Sequence, residues 1–482
     1  MSTIKNSLEA IHKQSTLALR ALAVCVFAAM RVHAGPAIYN GPGNGIDVPV
    51  AIVTDSQGNV IVTGYSATNQ DALAYKDIVT VKYSPQGTQK WAMRYDGPDH
   101  LDDIPRAITV DASDNIYVTG MSRNRGISLN FNDSAYVTIR YHAANGLFDP
   151  GIQDWVARYD SPGRGNDEAV ALAVDYTGRL FVTGTSDPYG SNSPNITTLR
   201  YNPANGARVG DPAEYDSPGL SYARAMGTDR SGHVYVAGMR WTGNGAGYDF
   251  VTIQYDASTL AESWSVPFDG SGLNDDPVAL KVNGNRIYVT GSSWTANSGE
   301  VMMTLKYDSF GNLLWSQPAD RDQRAGGYDH PVAMALDSAG NIYVTGYSNA
   351  GSLPNGLPNL DFIAVKYTPD GVPDKVWLYD GGNGSDIPSG IGIDGSDHVY
   401  ITGSSIGPNG QQSDYVTMRL DPNGFLYRWT QRYNSADNGN DYARAMAVTN
   451  SGYVYVTGRS PVAGQADNFL TLKYKFDGTQ LW

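Results

Sequence analysis

Short runs of mainly hydrophobic and β-branched residues, separated by polar segments, follow one another along almost the whole chain. The runs are rich in Val, Ile, Thr and Tyr and are separated by Gly, Asn, Asp or Pro, for example at 107–111, 115–120, 135–141 and 155–159. Short runs of this composition with such boundaries are typical of β-strands joined by tight turns. After residue 34 no segment has the period of an amphipathic helix. The pattern therefore predicts an all-β fold.

The runs recur in groups of four, and eight such groups can be aligned within the chain. Each group has Val-Thr-Gly or a close variant at the end of its second run, with the glycine at Gly64, Gly120, Gly184, Gly238, Gly291, Gly346, Gly403 and Gly458. A single four-stranded sheet exposes both of its faces, and packing against neighbouring copies covers them. The repeat thus predicts a closed β-propeller of eight four-stranded blades, with seven blades as the alternative.

The two ends of the chain are predicted to share one blade. In most copies the tryptophan of the fourth run is followed four positions later by an aromatic residue, as in Trp91 and Tyr95. The eighth copy stops at Trp482, without that second aromatic residue. The N-terminal segment 36–39 ends in Tyr39, which would supply it. We therefore expect this segment to form the outer strand of the last blade, because pairing there closes the ring.

The repeat has a specific motif. It reads Asp-x-x-Gly-Asn-Ile-Tyr-Val-Thr-Gly, then Thr-hydrophobic-Lys-Tyr, then Gly-x-x-x-Trp, and good instances are residues 337–346, 364–367 and 311–315. This pattern resembles the SBBP family of bacterial β-propeller repeats, and the resemblance extends over residues 36–482. It implies an extracellular or cell-surface bacterial protein. The family name suggests seven blades, whereas eight copies are present here, and the resemblance implies no catalytic residues.

Residues 1–34 are interpreted as a signal peptide. Lys5, Lys13 and Arg20 precede an apolar run at 21–30, and small residues before Gly35 provide a cleavage site. The apolar run is too short to cross a bilayer. Residues 35–482 are then a single β-propeller domain that is secreted, periplasmic or displayed at the cell surface, with no membrane span.

Composition narrows the choice of partners. The chain has 34 Lys and Arg against 48 Asp and Glu, with a net charge of −14. An acidic surface repels phosphate backbones, so nucleic acid is not expected as a partner. Cys25 is the only cysteine and lies within the predicted signal peptide, which excludes a disulfide framework or a thiolate site in the remainder. A monomer that binds carbohydrate or an extracellular protein is expected.

One acidic column recurs before the first run of the repeat. A serine, Ser221, interrupts it in the fourth copy, and the other seven members are Asp47, Asp103, Asp167, Asp275, Asp329, Asp386 and Asp441. Clustered carboxylates bind hard cations, so these residues are candidate ligands for calcium. Alternatively, each aspartate caps its turn by accepting backbone N–H groups. We favour the capping interpretation, because no Asp-x-Asp-x-Asp calcium loop accompanies the column. No other cofactor is expected.

Residues that break the repeat are better candidates for binding. Trp241 and Trp294 each lie three residues after the second-run glycine, in the adjacent fourth and fifth copies. Arg224 belongs to the same sector. Two aromatic rings on neighbouring blades could hold a sugar ring or a partner side chain. The alternative is that both rings pack locally over loop glycines.

Two functional classes remain. The first is a non-enzymatic binding or scaffold module that uses one loop face, and this class is favoured. The second is an extracellular polysaccharide-active enzyme, a lyase or hydrolase. The histidines lack metal-ligand spacing. His330 adjoins Asp329, which is weak support for acid–base chemistry, since catalytic geometry is spatial rather than sequential.

Overall fold

The structure is a computed structural model. It describes residues 35–71, 74–125, 133–142, 153–162, 165–187, 193–215, 217, 219–243, 247–270, 272–296, 299–319, 327–352, 358–382, 384–407, 412–424, 426–461 and 466–482. The predicted signal peptide lies outside the described residues. Within these ranges all regular secondary structure is β-strand, and the predicted all-β fold is confirmed. None of the described residues forms a helix capable of crossing a bilayer.

The chain begins with a short strand and continues as successive antiparallel sheets. The first strand is β1 (Ala37–Tyr39). Sheet 1 contains β2 (Asp47–Thr54), β3 (Val60–Ala67), β4 (Lys76–Tyr83) and β5 (Gln89–Tyr95); sheet 2 contains β6 (Asp103–Val110), β7 (Ile116–Arg123), β8 (Ser134–Tyr141) and β9 (Gln153–Tyr159); sheet 3 contains β10 (Glu168–Val174), β11 (Leu180–Ser186), β12 (Asn195–Tyr201) and β13 (Ala213–Glu214); sheet 4 contains β14 (Ser221–Thr228), β15 (His233–Trp241), β16 (Tyr248–Asp256) and β17 (Glu262–Phe268).

The second half repeats this plan. Sheet 5 contains β18 (Asp275–Asn283), β19 (Arg286–Thr295), β20 (Gly299–Asp308) and β21 (Leu313–Ala319); sheet 6 contains β22 (Gly327–Leu336), β23 (Ile342–Ser352), β24 (Pro358–Tyr367) and β25 (Pro373–Tyr379); sheet 7 contains β26 (Asp386–Ile393), β27 (Val399–Ile406), β28 (Ser413–Leu420) and β29 (Tyr427–Tyr433); sheet 8 contains β30 (Tyr442–Val448), β31 (Val454–Pro461), β32 (Asp467–Tyr474) and β1.

Sheets 5 and 6 depart from the prediction of separate four-stranded units. A short parallel pairing between β20 and β22 joins them into one eight-stranded sheet. The pairing matches Gly299 with Gly327 and Glu300 with Tyr328. The paired residues are the first two of each strand, so the pairing brings the starts of β20 and β22 together. This junction is where the candidate site lies.

The pairing predicted between the chain ends is present. Strand β1 pairs antiparallel with β32, with Tyr39 opposite Phe469 and Ile38 opposite Leu470. At the other end of β32, the amide of Lys473 donates to the carbonyl oxygen of Trp482 at 2.9 Å. The N-terminal and C-terminal segments therefore line the same outer edge of sheet 8, as expected from the sequence.

A tryptophan contact recurs between successive sheets. In sheet 4, Nε1 of Trp264 donates to the carbonyl oxygen of Ser309 in sheet 5 at 3.1 Å. In sheet 8, Nε1 of Trp482 donates to the carbonyl oxygen of Pro85 in sheet 1 at 3.2 Å. A Cβ at Gly87, whose φ is +86°, would lie 2.9 Å from the Trp482 ring, so this turn must be glycine. The junction between the chain ends thus uses the same contact as an internal junction.

The first strands lie against one another along the inner edges of the sheets. Each contacts the first strands of its two neighbours, and β2 contacts β30 in the same way. A β-bulge interrupts the pairing of each first strand with its second strand, and the bulged residues are Val50, Arg106, Val170, Arg224, Val278, Val332, Ser389 and Arg444. Bulges redirect side chains away from the pleat. Val332, Ser389 and Arg444 indeed line one shared cavity.

Candidate functional site

A pocket of about 350 Å³ lies where sheets 4, 5 and 6 meet. It opens at the end of the sheets where the first strands begin and the second strands finish. Its aromatic lining residues are Tyr248, Trp294 and Tyr328, and its polar lining includes Asp276 and His330. Concave sites with aromatic walls and a few polar groups are the usual form of ligand-binding pockets. We refer to this site as the aromatic pocket.

Trp294 and Trp241 have different positions at this pocket. Trp294 lies near the end of β19, is 42% exposed and lines the pocket. Trp241 ends β15 and contacts Tyr248, with ring centroids 5.1 Å apart. A Cβ at Gly219 would lie 2.8 Å from Cδ1 of Trp241, so that ring packs over a loop glycine. Trp294 therefore presents a partly exposed ring in the pocket wall, whereas Trp241 supports the lining residue Tyr248.

Arg224 reaches the pocket through an acidic residue of the next sheet. It is the bulged residue of β14, and its Nε and Nη2 donate to the two carboxylate oxygens of Asp276 at 2.8 and 3.1 Å. This two-point geometry fixes the orientation of the carboxylate. Because Asp276 lines the aromatic pocket, Arg224 acts as a positioning residue for it.

His330 forms a hydrogen-bonded pair with Glu300 in the pocket wall. Nδ1 of His330 lies 2.6 Å from Oε1 of Glu300, which is only 3% exposed. A carboxylate can only accept, so Nδ1 carries the proton and Nε2 remains for another partner. The His330 ring also stacks against Tyr347, with ring centroids 5.1 Å apart. Glu300 of sheet 5 therefore supplies an acidic partner for His330 of sheet 6.

Sequence reasoning missed four residues of this site: Tyr248, Asp276, Glu300 and Tyr328. A usable pattern existed in the position that follows the acidic column. That position is Val or Ile in sheets 1, 2 and 7 and Tyr in sheets 4 and 8, but it is polar in the other three, with Glu168 in sheet 3, Asp276 in sheet 5 and His330 in sheet 6. The break in the repeat could have marked Asp276. Glu300 could not be marked this way, because its contact depends on the pairing of β20 with β22.

The acidic column is buried at the sheet junctions. Its seven aspartates are at most 2% exposed. In six of them a carboxylate oxygen accepts a backbone N–H from the preceding loop at 2.6–2.8 Å: Asp47, Asp103, Asp167, Asp275, Asp386 and Asp441. This is the geometry of a turn cap. The remaining member, Asp329, also has a polar partner.

Burial changes the protonation of these carboxyl groups. It raises the pKa of Asp103, Asp275 and Asp386 to about 6, against the opposing effect of the hydrogen bonds they accept. Neighbouring carboxylates add to the increase, as Asp269 and Asp249 do for Asp275.

Three acidic groups at the junctions have the composition of a hard-cation site. Each combines one column member with two aspartates of the preceding sheet, and they are Asp77, Asp96 and Asp103; Asp249, Asp269 and Asp275; and Asp361, Asp380 and Asp386. None of these groups contains two members of the column. In the first, Arg94 already contacts Asp77 at 2.5 Å, and in the second, Arg240 contacts Asp249 at 3.4 Å. These arginines supply part of the positive charge that a cation would bring.

Comparison with known proteins identifies the repeat. Residues 324–354 match the family model of the SBBP β-propeller repeat, which confirms the resemblance over this segment. No protein of curated function matches the chain.

Solved structures of similar shape have diverse activities. One is the periplasmic gluconolactonase PpgL of Pseudomonas aeruginosa, 14% identical over 80% of this chain and 94% of that one, with a TM-score of 0.44. The polysaccharide lyase Uly1 is 11% identical over 92% of each chain, with a TM-score of 0.47. Chaetomium thermophilum Sqt1, bound to the N-terminus of a ribosomal protein, is 12% identical over 90% of this chain and 98% of its own, with a TM-score of 0.48. Similarity at this level indicates no activity or ligand for this chain.

Proposed function

We propose that this chain is a closed eight-bladed β-propeller, secreted or exposed at the cell surface, that binds carbohydrate in the aromatic pocket. The eight-bladed arrangement is supported by the contact of β2 with β30 and by the tryptophan contact that sheet 8 makes with sheet 1. The export of the protein rests on the predicted signal peptide.

The observation that carries the binding proposal is the exposed ring of Trp294 beside Tyr248 and Tyr328 in one pocket. Flat aromatic faces stack on the apolar faces of sugar rings. Asn274, Asp276 and His330 line the same pocket and can bond sugar hydroxyl groups. The volume of about 350 Å³ accommodates one or two sugar rings. Because Asp276 and Glu300 are already paired with Arg224 and His330, a neutral sugar fits the site best.

The test is a glycan-array screen followed by calorimetry with the neutral oligosaccharide that binds most tightly. The Trp294→Ala variant should weaken that binding by about tenfold or more, because the stacking face is lost. Trp241→Ala should weaken it less, since its ring acts through Tyr248. Phe310→Ala removes an aromatic ring from a turn of sheet 5 that lies outside the pocket and is more exposed than Trp294, 80% against 42%, and it is the control. Unchanged binding by a folded Trp294→Ala, Trp241→Ala double variant would refute the site.

The second candidate function is a polysaccharide-active enzyme, and the His330–Glu300 pair favours it. A histidine held through Nδ1 by a buried carboxylate can accept a proton at Nε2. In a lyase reaction the substrate would be a uronate-containing chain: Nε2 would take the proton from the carbon beside the sugar carboxylate, a carbon–carbon double bond would form as the neighbouring carbon–oxygen bond breaks, and the leaving oxygen would take a proton from water. Turnover of a bound oligosaccharide by the purified protein, lost in His330→Gln while binding persists, would support this candidate.

A further inference from the structure

A second cavity, of about 1040 Å³, opens at the same end of the sheets between sheets 6, 7 and 8. Three consecutive bulged residues, Val332, Ser389 and Arg444, contribute to its wall. Its remaining lining is rich in amide side chains, including Asn434 and Gln412. The cavity shares no lining residue with the aromatic pocket and is therefore a separate feature.

Three of the eight bulged residues are arginines, and Arg444 differs from the other two. Arg106 contacts Glu168 of the next sheet, and Arg224 contacts Asp276 of the next sheet. Both acids occupy the position after the acidic column. For Arg444 the next sheet is sheet 1, where that position is Val48. Arg444 is exposed, and the part of the chain that the structure describes offers it no ion pair or hydrogen bond.

The other charges around this cavity are compensated. Asp414 accepts from Nη1 of Arg432 at 2.8 Å. Arg459 contacts Asp467 at 3.2 Å and lies 4.5 Å from the centre of the Tyr442 ring. The guanidinium of Arg444 is thus the unbalanced charge of the cavity, in a chain whose net charge is −14. The bulge itself does not require arginine, since other sheets place valine or serine there.

We propose that this cavity binds an acidic sugar, with Arg444 holding its carboxylate. A guanidinium binds carboxylates through two parallel hydrogen bonds, which an ammonium group does not provide. The amide side chains offer both donors and acceptors to ring hydroxyl groups, as a sugar requires and a simple anion does not. The volume is that of a site for an oligosaccharide rather than a single ion. The ligand class is therefore a uronate-containing oligosaccharide.

The experiment uses calorimetry of the chain with trigalacturonate and with its methyl ester, which has the same shape without the charge. The wild-type protein should bind trigalacturonate at least tenfold more tightly than the ester, and the difference should shrink at high salt because exposed charges are screened. Arg444→Gln should lose at least tenfold in affinity for trigalacturonate. Arg444→Lys should fall between them, because it retains the charge without the two-point geometry.

Arg106→Gln is the matched control, because Arg106 has the same repeat position as Arg444 but already forms an ion pair with Glu168. Its affinity for trigalacturonate should equal that of the wild type. Equal binding of acid and ester, unchanged affinity in a folded Arg444→Gln, or absence of binding to trigalacturonate would overturn the proposal. An acidic peptide that displaces trigalacturonate at lower concentration would overturn it in favour of a protein partner. The aromatic pocket is tested with neutral sugars, so failures of the two proposals are distinguishable.

Discussion

Two junctions of this molecule are built alike at their outer edges and differ at their inner edges. At the junction of sheets 4 and 5, and at that of sheets 8 and 1, a tryptophan donates to a carbonyl oxygen of the next sheet at 3.1 and 3.2 Å. At both, the bulged residue is an arginine. Arg224 is neutralised by Asp276, whereas the equivalent position in sheet 1 is Val48 and the described residues give Arg444 no ion pair. The repeat thus keeps its packing constant while its inner-edge side chains vary, and that variation carries the specificity.

The largest expected effect concerns the feature the two junctions share. Trp482→Ala should lower the free energy of unfolding by about 3–4 kcal/mol, because it empties a buried site and breaks a hydrogen bond. Trp264→Ala should cost a similar amount if the chain ends are joined as firmly as an internal junction. Urea denaturation measures both. Trp294→Ala, which removes an exposed ring, is the control. A cost below about 1 kcal/mol at Trp482 alone would show that the junctions are not equivalent.

The second prediction concerns the pH dependence of stability, which should differ between the buried aspartates of the two junctions. Burial raises the pKa of Asp275 to about 6 in the folded chain. Between that pKa and the usual value of 3.8, the folded chain keeps a proton on this carboxyl group, whereas the unfolded chain has released it. The stability from this group is complete below pH 4 and is lost as the pH rises through about 6. Asp275→Asn stays neutral and can still accept from Gly270. It should therefore stabilise the fold by up to about 2 kcal/mol at pH 7 and by little at pH 4.

The matched variant for this comparison is Asp47→Asn at the junction of sheets 8 and 1. Asn40 and Asn468 stand there in place of Asp269 and Asp249, so fewer carboxylates oppose ionisation of Asp47. Its substitution should change the pH dependence less, as measured by urea denaturation at pH 4 and pH 7. An equal response at both junctions would contradict the role of the neighbouring carboxylates.

The smallest effect on stability is expected when the inner edge of the junction between sheets 4 and 5 is changed to resemble that of the junction between sheets 8 and 1. Asp276→Val removes the acidic partner of Arg224 and places there the residue type that sheet 1 has at the same repeat position, Val48. The pair is partly exposed, with side-chain exposures of 33% and 44%, so its loss should cost less than about 1 kcal/mol. The freed guanidinium should add a second, weaker site for trigalacturonate, seen in calorimetry as a rise in the number of molecules bound. An unchanged number would show that a free arginine at a bulge is insufficient and that the cavity is also required.

The repeating parts of the structure followed directly from the sequence. The β-branched and aromatic residues of runs such as 115–120 predicted individual strands, and the recurrence of Trp-x-x-x-aromatic predicted that Tyr39 would belong with Trp482. Both predictions concern contacts made identically in many copies, so each copy supports the others. The capping role favoured for the acidic column agrees with the N–H groups that six of its members accept. These are local contacts within a few residues of the chain.

The candidate sites followed less completely. By sequence, Trp241 and Trp294 had the same standing, three residues after the second-run glycine, and the structure places each at the end of a second strand, β15 and β19. Only the packing of Trp241 over Gly219 distinguishes them. Arg444 drew no attention, because an arginine in a repeat is informative only when its partner in the next copy is known.

The sequence by itself determined the strands, their order within each sheet and the pairing of the chain ends, because these depend on residue spacing and on patterns that recur. Tertiary structure alone decided which side chains meet between sheets. Glu300 reaches His330 because β20 and β22 extend far enough to pair. Among the described residues Arg444 has no acidic partner, because sheet 8 is followed in space by sheet 1, which has Val48 at the position that is acidic in sheets 3 and 5. Contacts of that kind depend on the order of sheets in space, which no local pattern records.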